Sequence, residues 1–277
     1  MIERPIVEIA PKTWLISDYK LDNFYLLEGE EKALLIDTGA GLGPVEEEVR
    51  RLTDKPLVIA ATHGHGDHIG GSHLFEEPTY LCKEDMVFVT EDGRVRTEEE
   101  GNAFRERYAR TRGRVRNPEA TEEELVALIR KDGAAKFLPM EGGMVFELGG
   151  RPVEVILTPG HSLGSVCFLD KKERLLFTGD TVNDCLLLNF WPITTTLQEY
   201  RDAVARLWER REEFDYICQG HDCLEKEDKS FINDYLEAAD KLLSGELKGA
   251  EIDDGIHQGL GIYYNKVRLF YDPEHLR

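Results

Sequence analysis

A chain of 277 residues, 41% hydrophobic and 32% charged, has the composition of a soluble globular protein and enough length for one large domain or two small ones. Its formal net charge of -20 repels phosphate backbones and anionic headgroups, which disfavours nucleic acid and membrane surfaces as partners. No apolar run approaches a bilayer span, Met1-Ile2-Glu3-Arg4-Pro5 lacks a basic-then-apolar leader, and Cys82, Cys167, Cys185, Cys218 and Cys223 fit reduced thiols, so a cytoplasmic setting is expected.

Short strands open the chain at Trp14 to Ser17, Phe24 to Glu28 and Ala33 to Asp37, the last broken by Asp37-Thr38-Gly39-Ala40-Gly41. Val45 to Leu52 reads as an acidic amphipathic helix, Leu57 to Ala61 as a buried strand, and Ile69 to Phe75 as a short helix. Between residues 91 and 136 the character changes. Glu98-Glu99-Glu100, an arginine cluster from Arg105 to Arg116 and Glu122-Glu123-Glu124 alternate in sign, while Leu125, Leu128 and Ile129 keep helical spacing. This stretch is expected to form helices inserted into the main domain near the rim of its site. The arginines from Arg110 to Arg116 read as a solvated helix face paired with neighbouring glutamates. Strands resume at Met144 to Leu148, Val153 to Thr158, Ser165 to Leu169 and Arg174 to Phe177. Helices at Leu197 to Arg210 and Ser230 to Leu243 flank a strand at Tyr216 to Cys218, and Gly261 to Tyr271 reads as a hairpin. Strands alternating with helices predict a layered α/β domain spanning residues 1–277.

Thr62-His63-Gly64-His65-Gly66-Asp67-His68 places three of the chain's eight histidines beside a carboxylate, directly after the buried strand. Neutral imidazole and carboxylate are the ligands that zinc and similar divalent ions prefer. In an extended loop, residues two apart point the same way, so His63 and His65 can converge on one ion. Asp67 and His68 face another direction and suit a second. Three later segments, ending Thr158-Pro159-Gly160-His161, Phe177-Thr178-Gly179-Asp180 and Cys218-Gln219-Gly220-His221, share one grammar: an apolar strand, a glycine, then a potential ligand. A glycine there lets the backbone turn sharply and delivers each side chain to a common rim.

This set resembles the metallo-β-lactamase superfamily, whose pattern is H-x-H-x-D-H followed by a distant His, a bridging Asp and a final His. The resemblance runs from Ala33-Leu34-Leu35-Ile36-Asp37-Thr38-Gly39 to Gly220-His221. It implies an α/β fold, the αββα four-layer sandwich, with metals at one edge between two sheets. It further implies that His63, His65 and His161 hold a first metal, that Asp67, His68 and His221 hold a second, and that Asp180 bridges both. Asp37 would sit behind the metals and orient a ligand histidine; a turn-forming Asp before Gly39 explains the local sequence equally well. Two divalent ions are expected, zinc first, with iron and manganese as alternatives because such sites accept all three. A water bridging them has a pKa of about 7 at good zinc sites. The expected reaction is attack by that bridging hydroxide on a small ester, thioester or lactone carbonyl, with Asp67 and Asp180 as supporting acid/base groups.

Asp180 at the bridging position separates the chain from the β-lactamases proper. The full ligand set is shared with glyoxalase II enzymes and acyl-homoserine lactonases, although no glutathione-binding basic motif is recognisable in the C-terminal part. A mononuclear iron sulfur dioxygenase on His63, His161 and Asp180, or a phosphodiesterase on the same scaffold, are the alternatives. Cys185-Leu186-Leu187-Leu188-Asn189-Phe190-Trp191-Pro192 is too apolar for an exposed loop and either packs under the 91–136 stretch or forms a wall of the pocket. Leu187, Phe190, Trp191 and His257 are therefore candidate pocket residues, while His73 and His275 read as structural or solvent-facing. A small molecule is the expected partner, and no residue pattern points to an oligomeric state.

Overall fold

A computed structural model describes residues 2, 4–91, 93–94, 96–131, 133–221 and 223–277. The first sheet holds seven strands in chain order: β1 (Ile6–Ala10), β2 (Thr13–Ser17), β3 (Asn23–Glu28), β4 (Ala33–Ile36), β5 (Leu57–Ala60), β6 (Thr79–Cys82) and β7 (Phe137–Met140). Pairing is antiparallel as far as β4 and parallel from β4 to β7. The second sheet contains β8 (Val145–Glu147), β9 (Pro152–Leu157), β10 (Val166–Asp170), β11 (Leu175–Gly179), β13 (Tyr216–Gln219) and β14 (Glu227–Asp228). A smaller sheet joins β12 (Cys185–Leu188), β15 (Ala250–Asp253), β16 (Gln258–Tyr264) and β17 (Val267–Tyr271).

The period of two along each strand divides the apolar side chains between layers. Tyr25, Leu27, Leu34 and Ile36 of the first sheet meet Val166, Phe168, Leu175 and Phe177 of the second in a core between the sheets. The alternate residues Phe24, Leu26, Ala33 and Leu35 face outward onto Val45 and Val49 of helix α1 (Val45–Leu52). On the other side, Cys167, Leu169 and Leu176 pack against α6 (Leu197–Glu209) and α7 (Ser230–Ser244) through Tyr200, Val204, Ile232 and Tyr235. Helix, sheet, sheet and helix form four layers. Strands covered on both faces explain why β4 and β5 read as continuous apolar runs rather than as alternating ones.

The predicted helix from Ile69 to Phe75 is instead a single turn, α2 (Gly66–Ile69), followed by a 3₁₀ turn at Ser72–Leu74. Gly70 and Gly71 interrupt it, and both lie hard against neighbouring backbone: a Cβ on Gly70 would stand 2.7 Å from the Ala40 carbonyl oxygen. The segment after β6 carries α3 (Glu98–Tyr108), a π-helical turn at Ala109–Gly113, α4 (Arg114–Arg116) and α5 (Glu122–Val126). Thr97 with Glu100, and Thr121 with Glu124, form reciprocal N-terminal caps that start α3 and α5. Buried Arg105 pins α3 to the core, donating from Nε to the Ala40 carbonyl at 2.8 Å and from Nη2 to that of Gly70 at 3.1 Å.

Candidate metal centre

Each expected ligand lies just past the end of a strand. β5 leads to His63, His65, Asp67 and His68, β9 to His161, β11 to Asp180 and β13 to His221. Because β5 belongs to the first sheet and the others to the second, all seven side chains collect at one edge of the sandwich. The glycines before the ligands serve two purposes. Gly179 has a positive φ of 49°, the sharp turn expected of it. Gly220 does not; there a Cβ would stand 2.6 Å from Asp180 Oδ1 and 2.9 Å from His68 Cε1, so close approach is what excludes a side chain.

The donor atoms converge. His161 Nε2 lies 2.9 Å from His65 Nδ1, and His68 Nε2 lies 3.3 Å from His221 Nε2. Asp180 sits among them, with Oδ2 at 3.2 Å from His221 Nε2 and 3.4 Å from His161 Nε2, and Oδ1 at 3.5 Å from His68 Nε2. Among the expected ligands three groups have donor atoms mutually within 4.8 Å, His63–His65–His161, His63–His68–Asp180 and Asp67–His68–His221; a fourth group of that spacing, Cys185–Asp254–His257, shares none of these residues. Such spacings suit the edges of a coordination shell with metal–nitrogen bonds of about 2.0–2.1 Å. Two buried polar atoms of the cluster, His63 Nε2 and Asp180 Oδ1, have no hydrogen-bond partner among the described residues. A cation would satisfy them.

The outward nitrogens are already engaged. His68 Nδ1 donates to Asp37 Oδ2 at 2.9 Å, His161 Nδ1 to the Leu187 carbonyl at 3.0 Å, and His221 Nδ1 to the Leu21 carbonyl at 2.9 Å with Asp22 Oδ1 at 3.0 Å. His63 Nδ1 meets Thr62 Oγ1 at 3.1 Å, and that hydroxyl donates onward to Asp37 Oδ2 at 2.8 Å. Engaging one ring nitrogen turns the other inward and fixes the tautomer a metal ligand needs.

Burial dominates the electrostatics of His63 and His65. Desolvation, reinforced by neighbouring imidazoles, pushes His65 down to about 3 and His63 well below the ordinary histidine value. At His68 and His221 burial acts the same way but is outweighed, chiefly by Asp180, so both are raised, His221 to about 10. Asp180 is held well below the usual carboxylate range because His221 and His68 outweigh its own burial. A buried carboxylate kept ionised by surrounding imidazoles is a centre that attracts positive charge.

Residues without a sequence signal support the centre. Buried Asp85 accepts from the Gly64 backbone N–H at 2.8 Å, the Ser162 hydroxyl at 2.6 Å and the Gly164 N–H at 2.7 Å, binding the first histidine loop to the His161 loop. Tyr108 of α3 donates to Asp22 Oδ1 at 2.5 Å and approaches Asp67 Oδ2 at 3.3 Å. Neither residue lies in a motif, and only the closing of loops far apart in sequence gives them a role.

Above the centre opens a cavity of about 560 Å³. His65, Asp67, His161, Asp180 and His221 form its floor, and Leu187, Phe190 and His257 belong to its walls. Trp191 is not among the residues that line it; its ring stacks on His275 with centroids 4.2 Å apart. Period two along β12 divides the apolar segment, and its inner face packs elsewhere than under the 91–136 stretch. Leu186 and Leu188 point into the core under α6 and α7, while Cys185 and Leu187 face the cavity. The basic cluster also divides. Arg110 pairs with Glu106 at 2.8 Å and Glu122 at 2.6 Å, as a solvated face should, but Arg107 and Arg112 border the cavity together with Arg96. His73 is structural, bonded through its ring nitrogens to the Gly70 and Lys131 carbonyls.

Comparison with known proteins adds a family to this geometry. Human acyl-coenzyme A thioesterase MBLAC2 is 30% identical over 210 residues, 68% of this chain and 67% of its own. An atrochrysone carboxyl ACP thioesterase of Aspergillus fumigatus is 28% identical over 165 residues, 58% of this chain and 39% of its own. The chain thus spans about two thirds of the length of the first relative and well under half of the second. Among solved structures, a metallo-beta-lactamase from Pontibacter korlensis shares the fold with a TM-score of 0.59 at 19% identity, covering 85% of this chain and 98% of that one. The family model of the metallo-beta-lactamase superfamily matches residues 21–221, which contain all seven converging side chains, and the chain belongs to that superfamily.

Proposed function

We propose that this chain is a metal-dependent hydrolase of a small thioester, with ester and lactone carbonyls as lesser substrates. In this reading His63, His65 and His161 would hold one divalent ion and Asp67, His68 and His221 a second, with Asp180 a ligand available to either, zinc being the first candidate. The observation that carries it is the position of Asp180, one carboxylate within 3.5 Å of Nε2 atoms from His68, His161 and His221, three histidines on three separate segments. Two relatives named as thioesterases support a thioester over a lactone. Divalent ions held there supply a Lewis acid for a carbonyl oxygen and water with a pKa lowered to about 7.

The chain's own groups do the rest. Asp37 and the Leu21 and Leu187 carbonyls stop the His68, His221 and His161 rings from swinging. Leu187, Phe190 and Ile193 offer an apolar wall that excludes water from an acyl group. Asp67 Oδ2 accepts from the Tyr108 hydroxyl at 3.3 Å at the cavity floor, and the burial of its carboxyl is outweighed by His68 and His221, which keep it below the usual carboxylate range. The 91–136 stretch serves as the outer wall of one domain spanning 1–277.

Metal quantitation after growth with zinc, iron or manganese tests this, alongside turnover of acyl thioesters, lactones and a phosphodiester. The expected result is two ions per chain and thioester turnover. In His65→Ala an ion is lost and turnover falls more than about 100-fold. Retention of both ions by that variant overturns the ligand assignment. One iron per chain with oxygen consumption replaces the hydrolase reading with a sulfur dioxygenase, and turnover of the phosphodiester alone replaces the thioester.

A further inference from the structure

In a chain of net charge -20, three guanidinium groups border a single cavity. Arg96 stands 4.8 Å over the Phe104 ring, Phe104 stacks on Tyr108 with centroids 5.4 Å apart and planes 20° apart, and Arg112 lies 5.9 Å from the Tyr108 ring. Phe104 and Tyr108 are one turn apart on α3, so the helix itself sets the spacing of this cation–ring–ring–cation ladder. Arg107 joins them from the same helix.

The arginines of this segment fall into two groups. Arg110, outside the cavity, is neutralised by Glu106 and Glu122. Arg96 and Arg107 are exposed, and among the described residues no carboxylate lies within ion-pair distance of either, although Arg96 acts on the Glu100 carboxyl from farther off. Arg112 is half-buried, and its charge is felt at His221 on the cavity floor and at His257 on the wall. The cavity therefore has an apolar wall with Leu187, Phe190 and Ile193 and a cationic rim from the α3 segment; Asp184, which Arg268 meets at 3.3 Å, also belongs to its lining.

We propose that Arg96, Arg107 and Arg112 form an anion subsite that takes the phosphate groups on the thiol half of the substrate. This rests on the thioesterase reading and names its substrate class, a thioester of a phosphorylated thiol. An acyl group belongs against the apolar wall, which leaves the thiol half to run outward along the rim. Guanidinium forks suit phosphate oxygens, to which they bond in pairs, and several cations in a row suit a thiol bearing more than one phosphate.

Calorimetry on the metal-loaded full chain tests this with two uncleavable probes: the S-propyl thioether of coenzyme A, which carries phosphates, and that of pantetheine, which does not. The first is expected to bind about tenfold or more tightly than the second, with a preference that weakens as salt rises. The double variant Arg96→Ala/Arg107→Ala is expected to cut that preference about tenfold, while Arg110→Ala, which removes an exposed charge outside the cavity, keeps it within about twofold. An undiminished preference in the double variant overturns the subsite, as does an equal loss in Arg110→Ala, which would mark a diffuse charge effect. A pantetheine thioether with a carboxylate on its acyl side is the third probe. If its affinity depends on Arg96 and Arg107 as strongly as that of the coenzyme A probe, the assignment to the thiol half is overturned. The two readings fail separately. Calorimetry as expected without turnover of any thioester removes the thioesterase and keeps the anion subsite; thioester turnover with an unaltered probe preference does the reverse.

Discussion

Asp37 occupies backbone that few side chains tolerate, at φ 63°, and uses both carboxylate oxygens. Oδ1 accepts the Thr62 backbone N–H at 2.7 Å, while Oδ2 accepts the Thr62 hydroxyl and His68 Nδ1. Aspartate is one of the few non-glycine residues at ease in left-handed backbone. The turn-forming and histidine-orienting readings of this residue are thus not alternatives, since the turn is what aims the carboxylate. Asp37→Ala is expected to weaken metal affinity about 10–100-fold, measured by competition with a chelator, because His68 loses the acceptor that fixes its ring. Unchanged affinity would show that the ring is held by packing alone. The turn at this aspartate was legible from its place before Gly39, while its histidine-orienting role was implied only by the family resemblance. Asp22, which meets His221 Nδ1 from a turn between β2 and β3, carried no such mark, because its role depends on a residue about 200 positions away.

At the scale of elements, the two loops that bring His63, His65 and His161 together are joined by a third party, Asp85, from the 3₁₀ segment after β6. Asp85→Ala leaves two buried N–H groups and a hydroxyl without their acceptor, at about 1–3 kcal/mol for each group left unsatisfied. Lower resistance to urea and loss of metal from the His65 side are the expected outcomes, measured by denaturation and metal stoichiometry. A variant with wild-type stability and full metal content would count against this bridge. Much of the secondary structure was legible: α1 spans the expected residues, and β2, β3 and β9 start or end within about two residues of the expected bounds, because burial imposes a clear period on them. β1, β6, β7 and β15 were not. They are short, β7 carries a proline that only an edge strand accepts, and their partners rather than their own pattern make them strands.

Across the whole molecule, the two sheets are joined at the edge of their shared core by Arg151. Fully buried, it donates to Asp170 Oδ2 from Nε at 2.9 Å and from Nη2 at 2.5 Å, and reaches across to the Lys12 and Glu28 carbonyls and the Thr13 hydroxyl of the first sheet. Arg151→Met strands a buried carboxylate, and a loss of about 3–5 kcal/mol in unfolding free energy is expected by chemical denaturation. A loss below about 1 kcal/mol would mean that Asp170 finds water or a proton instead. A second network is partly exposed: Arg210 grips Glu154 and Glu213, and Lys171 also meets Glu213, at 2.7 Å. Hydrogen bonds from Arg210 and Lys171 hold the Glu213 carboxyl down to about 2 from its usual 4.5. A depressed pKa in the folded state gives stability that is complete above the unfolded value and fades as pH falls toward the folded one. The difference in denaturation midpoint between wild type and Glu213→Gln is therefore expected to narrow from pH 6 to about pH 3; a constant gap would assign it to packing.

By itself the sequence determined which imidazoles and carboxylates are candidate ligands and the layered class of the fold. Imidazole and carboxylate next to strand-ending glycines keep their meaning whatever surrounds them, and alternating apolar residues dictate which faces are buried. Only the tertiary structure decided which carboxylates stand behind the histidines, where Trp191 points, and which arginines turn inward. Those outcomes are contacts between segments tens to hundreds of residues apart, and a local pattern holds no record of the distance at which it will be met.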